Sequence, residues 1–244
     1  VRFFVGLHQI SDAQHFEAAF ISVNRLRPRK SPFIAQDWIL DSGAFTELST
    51  HGRYRHTPQE YADEIYRWSG NGNLLAAVSQ DYMCEGFILE KTRLTVREHQ
   101  KRTVERYESL MRSCTGVEIM PVLQGYNPDE YARHIEDYGE LLTCGKWVGV
   151  GSVCKRNGDP RAIENILLTI KRERSDLRLH GFGLKTTALS SGLIHKLLHS
   201  ADSMAWSFHA RRHMRNQNDW REAKAWMANF ENRPLQWPLG LECS

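Results

Sequence analysis

The sequence predicts an α/β fold, a single (β/α)8 TIM-type barrel, and three observations predict it. Four segments share one form, an apolar run that ends in a polar or glycine-rich tip: Trp38 to Phe45, Ile119 to Tyr126, Val148 to Val153 and Leu179 to Lys185. A run of this kind is a buried parallel strand, and its tip lies at the C-terminal end, where α/β barrels keep their chemistry. About eight strand-like runs can be marked in all, the number a barrel needs, with helical patterns between several of them.

In chain order the strand-like runs are Phe3–Leu7, Ala19–Val23, Trp38–Asp41, Leu74–Asp81, Glu118–Leu123, Lys146–Gly151, Leu177–Gly183 and Ser203–Ser207. A helix of about eight residues is expected between the first two. Residues Asn24 to Gln36 form a long, basic, proline-containing connection, and a loop of that length is more often functional than passive. Thr57-Pro58 opens a helix to Trp68, with a cap residue followed by proline in the first turn. A long charged helix is expected from Thr92 to Met111, with Leu94, Val104, Tyr107, Leu110 and Met111 inward. Asn127-Pro128 and Asp159-Pro160 open two more, Ser190 or Ser191 caps the run to Leu198, and Asn218–Phe230 forms the last.

The 244 residues suit one barrel, and no low-complexity tract or Gly/Ser linker divides residues 1–244, so one domain is expected. With 41% hydrophobic and 25% charged residues, a disordered chain is excluded. No apolar run approaches the roughly 18 residues of a membrane span. Phe3-Phe4-Val5 turns polar at His8, too soon for a signal peptide, so no membrane partner and a cytoplasmic location are expected. Cys84, Cys114, Cys144, Cys154 and Cys243 form no Cys-x-x-Cys pair, so neither a disulfide framework nor bound metal is expected, and no cofactor is called for.

A net charge of +3 does not itself argue for nucleic acid, but its distribution is uneven. Arg25, Arg27, Arg29 and Lys30 cluster, Arg53 and Arg55 flank Tyr54, and Arg211, Arg212, His213 and Arg215 form another group. Each cluster follows a strand-like segment, which suits phosphate binding as well as a solvated face.

The chemistry-bearing residues sit at the tips. Asp41 precedes Ser42-Gly43, where the backbone can approach a ligand closely; an Asp there can also simply cap the next turn. Asp81 ends its run in the same way. Gln124-Gly125 offers an amide, Gly149, Gly151 and Ser152 offer backbone N–H groups, and Asp202 heads the last run. Carboxylates, an amide and glycines around one cavity suit a planar heterocycle with several hydrogen-bonding edges. One carboxylate reads the N–H donors of a guanine-like edge, while another attacks a sugar carbon and forms a covalent ester. A second carboxyl passes a proton to or from the heterocycle.

Asp41-Ser-Gly-Ala-Phe45 resembles the Asp-Ser-Gly-Gly-Phe signature of tRNA-guanine transglycosylases. Val122-Leu-Gln-Gly125 is similar to their Gln-Gly-Gly segment, Val150-Gly-Ser-Val153 to Gly-Gly-Leu and Gly181-Phe-Gly183 to Gly-Val-Gly. Ala201-Asp-Ser-Met-Ala-Trp206 resembles the archaeal branch's nucleophile segment, Phe-Asp-Ser-Ala-Ala-Tyr. The order matches from about Phe3 to Arg212. The family's Cys-x-Cys-x-x-Cys…His zinc subdomain, which helps to grip tRNA, is absent from the sequence. The compact deazapurine-in-DNA transglycosylases are more similar still, through Phe3 to His8, Phe20 to Arg25 and Trp147 to Arg156.

The resemblance implies a transferase that exchanges guanine in DNA for a 7-deazaguanine such as preQ0, with Asp202 as nucleophile and Asp41 as general acid/base. It implies base binding by Asp81, Gln124 and the backbone at Gly151 and Ser152, with Ser42, Gly125, Gly181, Gly183 and Lys185 completing the set. DNA would then be held by Arg25, Arg27, Arg29, Lys30, Arg53, Arg55, Arg211 and Arg212, with Trp206, Tyr54 or Phe208 stacking on a base. A guanine must leave the duplex to reach such a pocket, so an ATP-driven partner that opens DNA is one candidate partner protein. Two alternatives stay open: exchange in tRNA or plain base hydrolysis on the same fold, and a non-catalytic nucleic-acid-binding subunit.

Overall fold

The computed structural model describes residues 1–113, 115–156, 158–231 and 234–237. Among the described residues nine parallel strands follow one another around the sheet: β1 (Arg2–Gly6), β2 (Ala18–Ser22), β3 (Asp37–Asp41), β4 (Asn73–Val78), β5 (Ile119–Met120), β6 (Val122–Leu123), β7 (Trp147–Val150), β8 (Arg178–Gly181) and β9 (Ser200–Ser203). Their order is β5-β4-β3-β2-β1-β9-β8-β7-β6, so the two edges of the sheet are β5 and β6. Only Pro121 separates those edges in sequence. The ladder runs on through them: Met120 O accepts from Ser79 N–H at 2.9 Å, and Pro121 O accepts from Gly149 N–H at 2.8 Å. The expected fifth strand is thus split by a proline that has no N–H to give. The α/β barrel is as predicted, with one strand more than the eight expected.

Side chains alternate across each strand, and the two faces pack separately. Phe4, Ala18, Ile39, Ala76, Val78, Met120, Val122 and Trp147 form the apolar filling inside the barrel. The alternate residues, among them Val5, Ile21, Leu40, Ala77 and Leu179, pack outward in the larger core that includes helix residues. Gly149 makes room for this filling, since a Cβ there would lie 2.3 Å from the Phe182 ring.

The helices α1 (Val23–Leu26), α2 (Ala44–His51), α3 (Pro58–Trp68), α4 (Gly86–Thr92), α5 (Val96–Arg112), α6 (Pro128–Tyr138), α7 (Pro160–Glu173), α8 (Thr186–Leu189), α9 (Gly192–Leu197), α10 (Ala205–Arg212) and α11 (Trp220–Glu231) connect the strands. Caps explain their starts. Thr57 Oγ1 accepts from Glu60 N–H while Glu60 accepts from Thr57 N–H at 2.7 Å, Asp159 accepts from Ala162 N–H, and Ser191 from Ile194 N–H.

Three expectations need correction. The β1–β2 link is a 3-10 helix, Ile10–His15. The long charged helix begins at Val96, capped by Thr95, because Arg93 turns left-handed (φ 57°) and ends α4; Tyr107 and Leu110 are buried while Met111 is exposed. The last strand is Ser200–Ser203, and the segment expected as strand, Ser203–Ser207, mostly opens α10. Its apolar residues satisfy a helix instead: Trp206 is buried and its indole N–H donates to Gly6 O at 2.8 Å. The sequence carries no expectation for α2, which follows directly on Gly43, whose φ of 76° suits glycine. Of the cysteines, Cys84, Cys144 and Cys154 form no disulfide among the described residues, whereas Cys114 and Cys243 lie outside the described residues. No helix among the described residues is long and apolar enough to cross a membrane.

Candidate active site

A cavity of about 540 Å³ opens at the C-terminal end of the strands. Its polar floor follows from the alternation. Counting two residues on from the interior side chains Ile39, Val122 and Ser200 gives Asp41, Gln124 and Asp202, the next inward positions, where the strands end. Asp41, Asp81, Gln124, Gly151, Ser152, Gly183 and Asp202 all line it, with Arg25, Phe20, Phe45, Met83, Phe182 and Met204 around them. A larger cavity, about 920 Å³, lies at the opposite end of the barrel around Val1–Phe3 and Glu17–Ala18. Among the described residues Glu17 is the one carboxylate that lines it. The clustered carboxyls Asp41, Asp81, Glu85 and Asp202 line the C-terminal cavity.

Burial raises two of the carboxyls. Asp41 is lifted to about 6, mainly because the charged form loses water; nearby Asp202 adds to this, against stabilising hydrogen bonds from Ser22 and Gly43. Asp81 is lifted to about 7, again by burial first, with Gln124 opposing and Asp41 and Glu85 adding. Paired carboxyls poised near neutral pH in a cleft are suited to proton transfer.

A hydrogen-bond chain orders the wall beside Asp81. Gln124 Nε2 donates to Asp81 Oδ2 and Ser152 Oγ lies 2.7 Å from Gln124 Oε1. Ser152 Oγ also accepts from Cys84 N–H at 2.8 Å and lies 3.0 Å from Glu85 Oε2. Burial raises the Glu85 carboxyl as well. Ser152 has one hydrogen for its two acceptors, Gln124 Oε1 and Glu85 Oε2, while it accepts from Cys84 N–H. Ser152 holds a left-handed backbone (φ 55°), a local strain of the sort found at functional sites.

The glycines serve differently from expectation. The Gly149 and Gly151 N–H groups are spent in the ladder, on Pro121 O and Leu123 O, and offer nothing to a ligand. Gly151 instead leaves space for Gln124, whose Nε2 would lie 2.1 Å from an added Cβ. Gly183 N–H donates to Asp202 Oδ1 at 3.0 Å. Gly125 packs near Tyr131, and Gly181 makes way for Leu184; neither lines the cavity, nor do Ser42, which is buried, and Lys185, which is exposed.

The basic residues divide. Arg25 lines the cavity, and Lys30, Arg53, Arg211 and Arg212 are exposed. Arg27 is half-buried with its charge toward Glu64 and Glu47. Arg29 donates to Ser31 O and Pro32 O, and the Arg55 guanidinium donates two hydrogen bonds to the Glu47 carboxylate, at 2.7 and 3.1 Å. Trp206 is a core side chain, and Tyr54 is buried with its hydroxyl on Asp81 O. Phe208 is exposed, beneath Lys185, Arg211 and Arg212. At another part of the rim Lys155 stands 5.4 Å over both Phe45 and Phe87, two half-exposed rings.

Sequence reasoning missed Glu85, His180 and the Phe45–Phe87 pair. Alternation from Phe182 could have placed His180 inside the barrel; Glu85, in a loop, left no such signal. A family model described as DeoxyPurine in DNA protein A matches residues 2–221. No curated protein matches the chain.

Proposed function

The chain belongs to the DeoxyPurine in DNA protein A family, and from that premise we propose that it is a transglycosylase exchanging guanine in DNA for a 7-deazaguanine base of the preQ0 type. Membership ties the chain to deazapurine modification of DNA and to a transferase; the covalent route, the roles of single residues and the identity of the base are our reading. The observation that carries it is the convergence of Asp41, Asp81, Gln124 and Asp202 on one cavity with apolar walls.

In this reading an Asp202 carboxylate oxygen attacks the C1′ of a flipped-out deoxyguanosine. The C1′–N9 bond breaks, its electron pair passes to the base, and Asp41 supplies the proton that lets guanine leave. The incoming deazaguanine returns a proton to Asp41 as its N9 attacks C1′, and the ester to Asp202 breaks. An Asp41 carboxyl near 6 can run in both directions at neutral pH. Asp81, as an acceptor, meets the guanine N–H edge, and Gln124 holds it in place while Phe20, Met83 and Phe182 flank the ring. Arg25, Lys155, Arg211 and Arg212 supply phosphate contacts, and Phe45 and Phe87 offer a stacking platform for a neighbouring base.

Extrusion of the base costs a few kcal/mol, which is where an ATP-driven partner would act. The decisive experiment incubates the protein with duplex and single-stranded DNA, and separately with tRNA, together with radiolabelled guanine or preQ0, and then analyses nucleosides. Label in deoxynucleosides supports the proposal. Label confined to tRNA, or release of guanine without incorporation, would replace it with one of the alternatives above.

A further inference from the structure

His180 lies inside the barrel, fully buried and ringed by apolar side chains: Phe20 stacks on it at 5.6 Å, and Phe4, Trp147 and Phe182 meet it edge-on. A leucine or methionine would fill such a space without any polar requirement. An imidazole there needs a partner for each nitrogen, since an unpaired buried polar group is costly. It has both: Nδ1 lies 2.9 Å from Ser200 Oγ, and Nε2 lies 3.3 Å from Asp202 Oδ1.

The proton positions follow from the partners. The Trp147 indole N–H can only donate, and it reaches Ser200 Oγ at 2.9 Å, so Ser200 accepts there. Ser200 keeps one hydrogen, and His180 Nδ1 is the acceptor in reach. With Nδ1 accepting, the hydrogen of the neutral ring sits on Nε2 and points at Asp202. The opposite tautomer would set the Nε2 lone pair against an ionised carboxylate. Both His180 and Gly183 N–H therefore address the same oxygen, Oδ1, so the lone pairs of Oδ2 are those left for attack.

We propose that His180 is a positioning residue: through the relay Trp147–Ser200–His180 it presents an N–H to Asp202 and fixes the carboxylate rotamer for nucleophilic attack. The inference rests on the reading of Asp202 as the attacking group. A hydrogen bond of 3.3 Å before substrate is bound can tighten in the loaded complex.

The first test reads the tautomer. In protein with 15N-labelled histidine, the two-bond 1H–15N spectrum, with the His180 signals assigned by their loss in His180→Gln, should show Nε2 protonated and Nδ1 in the accepting state at pH 8. A proton on Nδ1 alone overturns the proposal. The second test compares His180→Leu and His180→Gln, both checked by thermal melts, for the rate of covalent enzyme–DNA adduct formation and for DNA affinity. Loss of a hydrogen bond to a charged group should slow adduct formation by roughly tenfold to a hundredfold in His180→Leu, with DNA affinity within about twofold. The amide nitrogen of His180→Gln can reach the Nε2 position and should restore most of the rate. Equal rates in all three proteins, while Asp202→Ala forms no adduct, reject the role of His180 alone. An adduct that persists in Asp202→Ala rejects the underlying reading instead.

Discussion

Asp81→Asn should make the protein more stable at pH 8 while weakening its hold on the base. The carboxyl sits at about 7 against an ordinary 3.8, because burial disfavours the charged form. Between those two values the folded chain binds more protons than the unfolded one, so this group costs stability progressively as pH rises from about 4 to 7. A shift of roughly three units corresponds to about 4 kcal/mol when fully expressed above pH 7. Asparagine fits the same space, keeps an oxygen that can accept from Gln124 Nε2, and never ionises. In a chain of this size, where about 1 kcal/mol moves Tm by about 2–4 °C, the variant should melt on the order of 10 °C higher at pH 8. At pH 4.5 only about 1 kcal/mol of the difference should remain. Affinity for free guanine or deazaguanine should fall by roughly tenfold to a hundredfold, because an amide donor then faces a donor on the base. Scanning calorimetry at both pH values and base titration of the same preparations are the assays. A packing defect would lower Tm at both pH values. A Tm gain equal at pH 4.5 and 8, or base affinity equal to wild type, would refute the placement of Asp81 as a buried, titrating base reader.

Four further outcomes follow from the same geometry. In the wild-type protein, guanine affinity should rise up to about tenfold per pH unit below pH 7 and flatten above it, since the base needs Asp81 ionised; isothermal titration from pH 5.5 to 8.5 reads this, and a flat profile counts against it. Asp202→Ala should abolish the covalent adduct on denaturing gels, and an adduct lost in Asp41→Ala but kept in Asp202→Ala would reverse their roles. Gly151→Ala puts a methyl group 2.1 Å from Gln124 Nε2, so Gln124 must move and base affinity should drop by roughly tenfold or more with DNA affinity retained. Replacing Phe45 and Phe87 together with Ala should weaken single-stranded DNA binding by roughly tenfold or more in fluorescence titrations, at about 1–3 kcal/mol per stacked base; DNA affinity equal to wild type would remove the stacking platform.

What the sequence disclosed, and what it hid, divides along the barrel wall. Asp41, Asp81 and Gln124 were legible because each ends an apolar run long enough to mark a strand, and a polar residue at that point has few places to be except the mouth. Asp202 was found, but its strand was misplaced. The inward positions of β9 are Ser200 and Asp202, small and polar because Ser200 must receive Trp147 and His180, so no apolar run announces it. The apolar Met204, Ala205 and Trp206 that follow looked like the strand and belong to the turn and helix beyond it. Glycines at the tips suggested free N–H donors, because the sequence does not show that a barrel's ladder continues to Gly151. Their absent side chains matter more than their amides. His180 was hidden in the middle of Leu179-His180-Gly181, where one polar residue in an apolar run passes for a tolerated substitution. Its inward direction is fixed by Phe182 two residues on, and its meaning by Asp202 on the adjacent strand, twenty-two residues away in sequence. A residue that acts through another carries its signal in that pairing, and the pairing exists only once β8 and β9 lie side by side.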